Sequence, residues 1–353
     1  MTVPSIRGGG STSAASVGEE TNYDYVNARL RARSRSFLTS ATLTEMAAAS
    51  LADSEKIILQ SAYAPVYQRN FMFSGMPLAD RLEAAVTAET AQRCRDLKSW
   101  AKGEIRLLLP VLSVQSDLEN GQLFLRALLS GRTDFIPSVP GCGELTEDFW
   151  QSLNAANGSR SAIAELCRYD PSRQSDMLSG AVSELDRTGH IWDAEWFFMK
   201  NLMQLARGTL TRHSGESFRI VKRYLALLTD LLNIRIWLGL HIAADSRDAE
   251  VHYLDGGTIS EERLLFTDKF KALLKDTFWQ ISTETEAAQL AALEKKFLAW
   301  QISLRLQNPL GIQVIVSYLA RLYCEWRNLT TLFSALQCGL PREMVQNVLF
   351  TDF

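Results

Sequence analysis

An acid followed three residues later by an asparagine occurs within an apolar helical pattern in each third of this 353-residue chain. The pairs are Asp117 with Asn120, Asp230 with Asn233, and Glu325 with Asn328. Residues three apart share one face of an α-helix, so each carboxyl and its carboxamide would point the same way. Oxygen ligands of this kind suit Mg²⁺, and a carboxylate can also act as a general acid or base. One interpretation is therefore a metal site or an acid–base pair.

The apolar residues around each pair favour a different interpretation. Positions −3, +7 and +8 from each acid are apolar, and on a helix they lie on the same broad face as the acid and the asparagine. The pair would then point toward a neighbouring helix, where a polar group without a hydrogen-bond partner costs about 1–3 kcal/mol. A terpenoid-synthase-like helical enzyme needs clustered aspartates to hold several Mg²⁺ ions, whereas each motif here offers one acid. We favour a satisfied polar pair that fixes the helix register.

The other candidate groups lack the spacing of a catalytic or metal site. The four histidines show no His-x-x-x-His pair, and none of the five scattered cysteines forms Cys-x-x-Cys. The chain has no Gly-x-x-x-x-Gly-Lys-Ser/Thr loop, no Gly-x-Ser-x-Gly turn and no His-Glu-x-x-His helix. We therefore predict no catalytic residue, no cofactor and no metal. The cysteine usage indicates a reducing compartment.

Composition excludes several classes of protein. With 37 Lys and Arg against 40 Asp and Glu, the net charge is −3, which argues against a nucleic-acid binder. The apolar share of 46% and the charged share of 22% match a soluble globular chain. Arginines at every second position near the start spread around a helix, so we expect one of them to pair with a buried acid such as Asp117 instead of forming an RNA-binding arm. They are Arg29, Arg31, Arg33 and Arg35.

The segments that carry these residues read as helices. They are rich in good helix formers, and their apolar residues recur every three or four positions, which predicts an all-α fold. Residues 224–244 are long enough to span a bilayer, but Asp230, Asn233 and Arg235 at their centre favour a helix buried in a soluble protein. The small, polar first twenty residues predict a flexible tail without a secretory signal.

Two further markers precede each acid–asparagine pair in a fixed order. The first is an apolar residue, a hydroxyl and an acid, which would cap a helix start: Leu43-Thr44-Glu45, Leu145-Thr146-Glu147 and Ile259-Ser260-Glu261. The second is an apolar residue, an acid and an apolar residue three later: Leu82-Glu83 with Val86, Trp192-Asp193 with Trp196, and Leu293-Glu294 with Phe297. The shared order predicts three homologous helical modules. Their predicted ranges are 21–140, 141–255 and 256–353, after a tail over 1–20.

Three stretches resemble a known family. Tyr25 through Ala32 resembles the opening helix of the C subunit of bacterial and archaeal V-type (A-type) ATPases, which is related to the d subunit of the eukaryotic vacuolar enzyme. Residues 224–238 are similar to the middle signature of that family. The strongest likeness is Tyr318 through Leu329, followed by Gly339-Leu340-Pro341. Two residues after Asn120 and Asn233 the family commonly has Lys or Arg. This chain has Gln122 and Arg235 at these positions, and Thr330 in the third copy.

The resemblance implies an all-helical, funnel-shaped protein of three similar domains around a pseudo-threefold axis. It would sit on the cytoplasmic face, peripheral to the membrane, as a socket between the proteolipid ring and the central axle subunits of D and F type. Its role would be to transmit torque for proton or sodium transport without hydrolysing anything itself. We expect no nucleic-acid partner and no homo-oligomer. An unrelated all-helical enzyme or repeat scaffold stays open as the alternative.

Overall fold

A computed structural model describes residues 20–132, 139–156, 158–170, 172–242, 253–267, 269–281 and 286–351. Every regular element in these ranges is helical, which confirms the all-α prediction. The predicted tail over 1–20 lies outside the described residues apart from Glu20.

The helices follow one another with short connections. We keep the name module for each of the three predicted ranges of sequence. The first range contains α1 (Tyr23–Ser34), α2 (Ser40–Ala48), α3 (Leu51–Ile58), α4 (Ala64–Val66, continued by a π-helical turn over Tyr67–Phe71), α5 (Leu78–Trp100), α6 (Glu104–Leu112) and α7 (Val114–Leu129). The second contains α8 (Glu147–Ala155), α9 (Arg160–Tyr169), α10 (Arg173–Thr188), α11 (Ile191–Thr211) and α12 (Glu216–Ile242). The third contains α13 (Glu261–Phe266), α14 (Phe270–Leu274), α15 (Glu286–Ser303, continued by a 3₁₀ turn over Leu304–Leu306), α16 (Ile312–Gln337) and α17 (Arg342–Val348).

Hydroxyl caps begin several of these helices, because a side-chain oxygen satisfies a first-turn N–H that has no partner within the helix. The predicted caps Thr146 and Ser260 are confirmed: their oxygens accept from the amides of Phe149 and Arg263, each at 3.3 Å. The prediction for Thr44 is wrong, since its hydroxyl lies inside α2 and donates to the carbonyl of Ser40 at 2.9 Å. The cap of α2 is Thr39, which accepts from the amide of Thr42 at 3.1 Å. An isolated hydroxyl–acid pair does not distinguish a helix start from a helix interior.

Long helices carry the packing that joins the modules. Helix α7 packs on α11, α12 packs on α15, and α16 packs on α5. The last long helix of each module therefore lies against a long helix of the next module, and the third module lies against the first.

A small apolar cluster lies around Leu298 and Ile302, and two large ones fill the spaces between the described helices. The larger one draws residues from all three modules, including Leu125, Trp150, Leu231, Trp279 and Leu322. The smaller of these two large clusters joins α2, α3 and α5 to the end of the chain, and its members include Tyr63, Leu82, Leu329, Phe333 and Leu349. The beginning and the end of the chain therefore share one core.

Helix α12 confirms the prediction of a buried helix over residues 224–238. Leu227, Leu231 and Ile234 are each at most 1% exposed. Among the described helices, none is long and apolar enough to cross a bilayer.

Candidate functional site: three acid–asparagine joints

The three repeated asparagines make the same double hydrogen bond. In each case the side-chain amide donates to a backbone carbonyl, and the N–H of the same backbone residue donates back to the side-chain oxygen. All six distances lie between 2.7 and 3.0 Å. The pairs are Asn120 with Val139, Asn233 with Leu254, and Asn328 with Phe350. Each asparagine thus supplies the hydrogen-bond partner that an irregular segment later in the chain would otherwise lack.

Asp230 occupies the most fully bonded acid position. Its Oδ1 accepts from the amides of Thr258 and Ile259 at 2.6 and 3.0 Å. Its Oδ2 accepts from the Thr258 hydroxyl and, at 2.9 Å, from the indole N–H of Trp279. Gly257 lies against the carboxyl, because a Cβ there would stand 2.3 Å from Oδ1. Burial raises the pKa of Asp230, and the hydrogen bonds to it act in the opposite direction.

Glu325 binds the beginning of the chain in the same way. Its Oε2 accepts from the amide of Leu38 at 2.6 Å, and its Oε1 accepts from the hydroxyl of Tyr63 at 2.5 Å. Leu38 directly precedes the cap of α2, as Ile259 directly precedes the cap of α13. Glu325 of the third module therefore binds the first module just before α2. In the same way, Asp230 of the second module binds the third module just before α13.

Asp117 holds the start of the second module. Its carboxyl accepts from the amide of Glu144 and from the side chain of Gln174. Gly143 packs directly on it, since a Cβ there would lie 2.0 Å from Oδ1. Burial, opposed by these hydrogen bonds, raises the pKa of Asp117 to about 8. Lys98, the neighbouring cation, donates to the carbonyl of Gly143 at 3.0 Å.

The predicted burial of these pairs is confirmed, but most of their partners differ from the prediction. All three acids and all three asparagines are at most 5% exposed. Polar partners on a neighbouring helix were predicted, and Gln174 of α10 is one. Most partners are instead backbone groups of irregular segments, which in the third joint lie between α1 and α2 and after α17. We use the name joint for each acid and asparagine together with the connecting residues that they bind. The first joint centres on Asp117, the second on Asp230 and the third on Glu325.

Ion pairs reinforce two of the same contacts between modules. Arg126 of α7 binds Glu195 of α11 at 2.5 Å, and Arg235 of α12 binds Glu294 of α15. Glu294 also binds Arg327 of α16 at 2.6 Å. In the second module the buried acid that forms the ion pair is therefore Glu195. The predicted second marker, with Asp193 as its acid, lies two residues before it. Trp192 of that predicted marker is 47% exposed.

The arginines of α1 do not reach the joints. Arg33 pairs with Asp96 and stacks on Trp100 at 4.6 Å. Arg29 lies over the same indole at 4.7 Å, and Arg31 donates to the carbonyl of Pro309 at 2.5 Å. The expected pairing of an arginine with Asp117 is therefore wrong. Stacking on a partly exposed aromatic ring keeps these cations hydrated, whereas the site around Asp117 is closed to them by burial.

Sequence reasoning missed the residues that complete the joints. Gly143 and Gly257 allow the connecting backbone to touch a carboxyl, and Tyr63, Gln174 and Trp279 supply a side-chain hydrogen bond to it. The glycines were a usable signal, since each lies three residues before a hydroxyl cap. The side-chain donors lie 19 to 28 residues beyond the caps with no shared type, so no pattern marked them.

The donors around these acids are neutral N–H and O–H groups of the protein. These donors hold each carboxyl in place and use its oxygens for hydrogen bonds within the protein, which suits a structural joint. Within the described part of the chain, no three His, Cys, Asp or Glu side chains cluster as metal ligands would.

Comparison with known proteins agrees with this repeated construction. A family model described as ATP synthase (C/AC39) subunit matches residues 26–348, a range that includes the acid and asparagine of every joint. The C subunits of V-type ATP synthase from two strains of Thermus thermophilus are each 25% identical to this chain over 335 residues. In both cases the match covers 92% of this chain and 97% of the relative. Because the family model runs through nearly all of the described structure, the chain belongs to the ATP synthase C/AC39 subunit family.

Proposed function

We propose that this chain is the central-stalk rotor subunit of a V-type ATPase or ATP synthase, which couples the central axle to the membrane proteolipid ring. Membership of the C/AC39 family supports a place in the rotary complex. The observation that carries the coupling role is the order of the joints. Asp117 binds the second module, Asp230 binds the third, and Glu325 returns to Leu38 in the first.

A circular order of joints supports three similar domains around a pseudo-threefold axis. In this proposal the domains are the three modules, divided near residues 140 and 255, and together they form a funnel. A funnel of this kind would receive the end of an axle made of D- and F-type subunits, while its outer end would rest on the ring. The packing of α7 on α11, α12 on α15 and α16 on α5 follows the same order.

Torque transmission requires that the modules do not slide past one another. Each joint fixes a connection by several buried hydrogen bonds, each worth about 0.5–1.5 kcal/mol net. The ion pairs of Glu195 and Glu294 add contacts across the same boundaries. A socket built in this way would turn as one body with its partners.

The proposed role is mechanical and non-catalytic. We place the protein on the cytoplasmic face of the membrane, peripheral to it, with the ring as its attachment. Calorimetric titration of the purified chain should detect no micromolar ATP site with turnover. A titration that shows such a site would contradict the non-catalytic role.

Deletion of the gene tests the coupling role. Membranes without the protein should lose ATP-driven ion pumping, while ATP hydrolysis continues on detached heads. Re-expression of the wild-type chain should restore pumping. Pumping that persists with normal inhibitor sensitivity in the deletion strain would contradict the proposal.

A further inference from the structure

The first joint contains a buried acid, Asp117, and a buried amide, Gln174, and each has one oxygen without a hydrogen bond among the described residues. Asp117 is 3% exposed and Gln174 is 3% exposed. Hydrogen bonding from the side chain of Gln174 acts to lower the pKa of the Asp117 carboxyl, so the two side chains lie within reach of each other. Within the described residues, neither Oδ2 of Asp117 nor Oε1 of Gln174 has a hydrogen-bond partner. Two buried acceptors left in this state are unfavourable, and one added proton would satisfy both of them.

That proton belongs on the carboxyl. A carboxylic acid has one O–H donor and keeps an acceptor oxygen, and a primary amide has donors and an acceptor side by side. A protonated Oδ2 would therefore donate to Oε1 of Gln174 while Gln174 donates to the carboxyl. The result is an acid–amide pair with two hydrogen bonds, in which every one of these polar atoms is used.

The other two joints provide the contrast. Asp230 accepts hydrogen bonds at both of its oxygens, and so does Glu325. Their side-chain partners Trp279 and Tyr63 contribute a donor, which suits a carboxylate. The partner in the first joint is an amide that offers an acceptor as well, which suits a neutral acid.

The charges around Asp117 act in both directions. Glu144, on the connecting segment, raises the pKa of Asp117, and Lys98 on α5 lowers it, although the Lys98 ammonium group donates to the carbonyl of Gly143. The charged neighbours of Glu144 itself are Lys98, Arg173 and Asp170. Burial is the largest cause of the raised pKa of Asp117, which reaches about 8.

We propose that Asp117 is a proton-binding site, and that the connecting segment over residues 139–144 stays closed on the first module by means of the proton that Asp117 donates to Gln174. Opening of this segment exposes the carboxyl to water. The Asp117 O–H bond then breaks and the proton passes to water, leaving a hydrated carboxylate. Rising pH therefore favours the open segment at the first joint, and it affects this joint more than the other two, whose acids are hydrogen-bonded at both oxygens. This inference does not depend on the proposed function.

Infrared spectroscopy of the full chain tests the protonation state. At about pH 6.5 the wild type should show the C=O stretch of a protonated carboxyl that is missing from Asp117→Asn and retained in Asp230→Asn. Gln174→Met removes the partner, so the band should move to higher frequency. Identical spectra for the wild type and Asp117→Asn, or an unshifted band in Gln174→Met, would overturn the proposal.

Hydrogen exchange tests the opening. Exchange of residues 139–145 is compared with that of residues 254–260 in the same sample, so the intrinsic effect of pH cancels. Because the closed state holds one proton more than the open state, the ratio of the two rates should rise up to about tenfold per pH unit between about pH 5 and 8. Asp117→Asn, whose amide donates permanently to Gln174, should show a constant ratio. A ratio that stays constant with pH in the wild type, or that rises equally with pH in Asp117→Asn, would contradict the proposal.

Discussion

Asn233 and Leu254 bind each other edge to edge, with the Asn233 amide donating to the Leu254 carbonyl at 2.9 Å and the Leu254 amide donating back at 2.8 Å. The Asn233 side chain makes the two hydrogen bonds to Leu254 that the backbone of a neighbouring β-strand would otherwise make. A single asparagine therefore satisfies two buried main-chain groups that have no helix or sheet to bind them.

Replacement of Asn233 by Leu should lower the free energy of unfolding by about 1–3 kcal/mol, because the N–H and C=O of Leu254 lose their partner while buried. Urea unfolding followed by circular dichroism measures the loss. The matched control is Asn201→Leu, since the Asn201 amide bonds only within its own helix, to the carbonyl of Phe197 at 2.7 Å. Equal losses in the two variants would contradict the importance of the joint.

Two glycine substitutions should have opposite signs. Gly257→Ala should destabilise the protein by about 1–3 kcal/mol, because the new Cβ would stand 2.3 Å from Oδ1 of Asp230. Gly208 lies in helix α11, and apart from its chain neighbours and the nearby backbone of that helix no atom lies within 4 Å of its Cβ position. Gly208→Ala should therefore stabilise it by about 0.5–1 kcal/mol. Thermal denaturation of both variants measures the signs, and a neutral Gly257→Ala would contradict the close contact.

The stability of the protein should depend on the protonation of Asp117. Its pKa is about 8 in the folded chain, above the value of about 3.9 in an unfolded chain. The raised pKa means that the folded state binds the Asp117 proton more tightly than the unfolded state does. The stability that this proton contributes is fully present below about pH 4 and is lost as pH rises to about 8. The difference in unfolding free energy between the wild type and Asp117→Asn should change by up to about 1.4 kcal/mol per pH unit in that window. A difference independent of pH would contradict this assignment.

One of the five cysteines should react rapidly with a thiol reagent in the folded protein. Cys338 is exposed, whereas Cys94, Cys142, Cys167 and Cys324 are buried. Burial raises the pKa of Cys167 and of Cys324 to about 12, which leaves little thiolate to react. Titration should give one fast thiol in native protein and all five in urea. Cys338→Ser should remove the fast phase, and a fast phase that remains would show that the core opens readily.

The helices and the burial of the joints could be predicted from the sequence, but the partners of the joints could not. The apolar positions around Asp230 already placed it on an inward face, because helical periodicity depends on residue type. Its partners Thr258 and Ile259 donate through backbone N–H groups, which every residue except proline carries, so no residue type marks them. The incorrect cap at Thr44 has the same cause. The observed cap, Thr39, directly follows Leu38, which binds Glu325 through its backbone N–H.

The core shared by the two ends of the chain has a consequence for the order of synthesis. Leu82 and Tyr63 are made long before Leu329, Phe333 and Leu349, which pack in the same cluster. Glu325, which binds Leu38 and Tyr63, is also made long after them. Helices α2 to α5 therefore carry exposed apolar surface until α16 and α17 have been made, and the nascent chain should depend on chaperones over that interval.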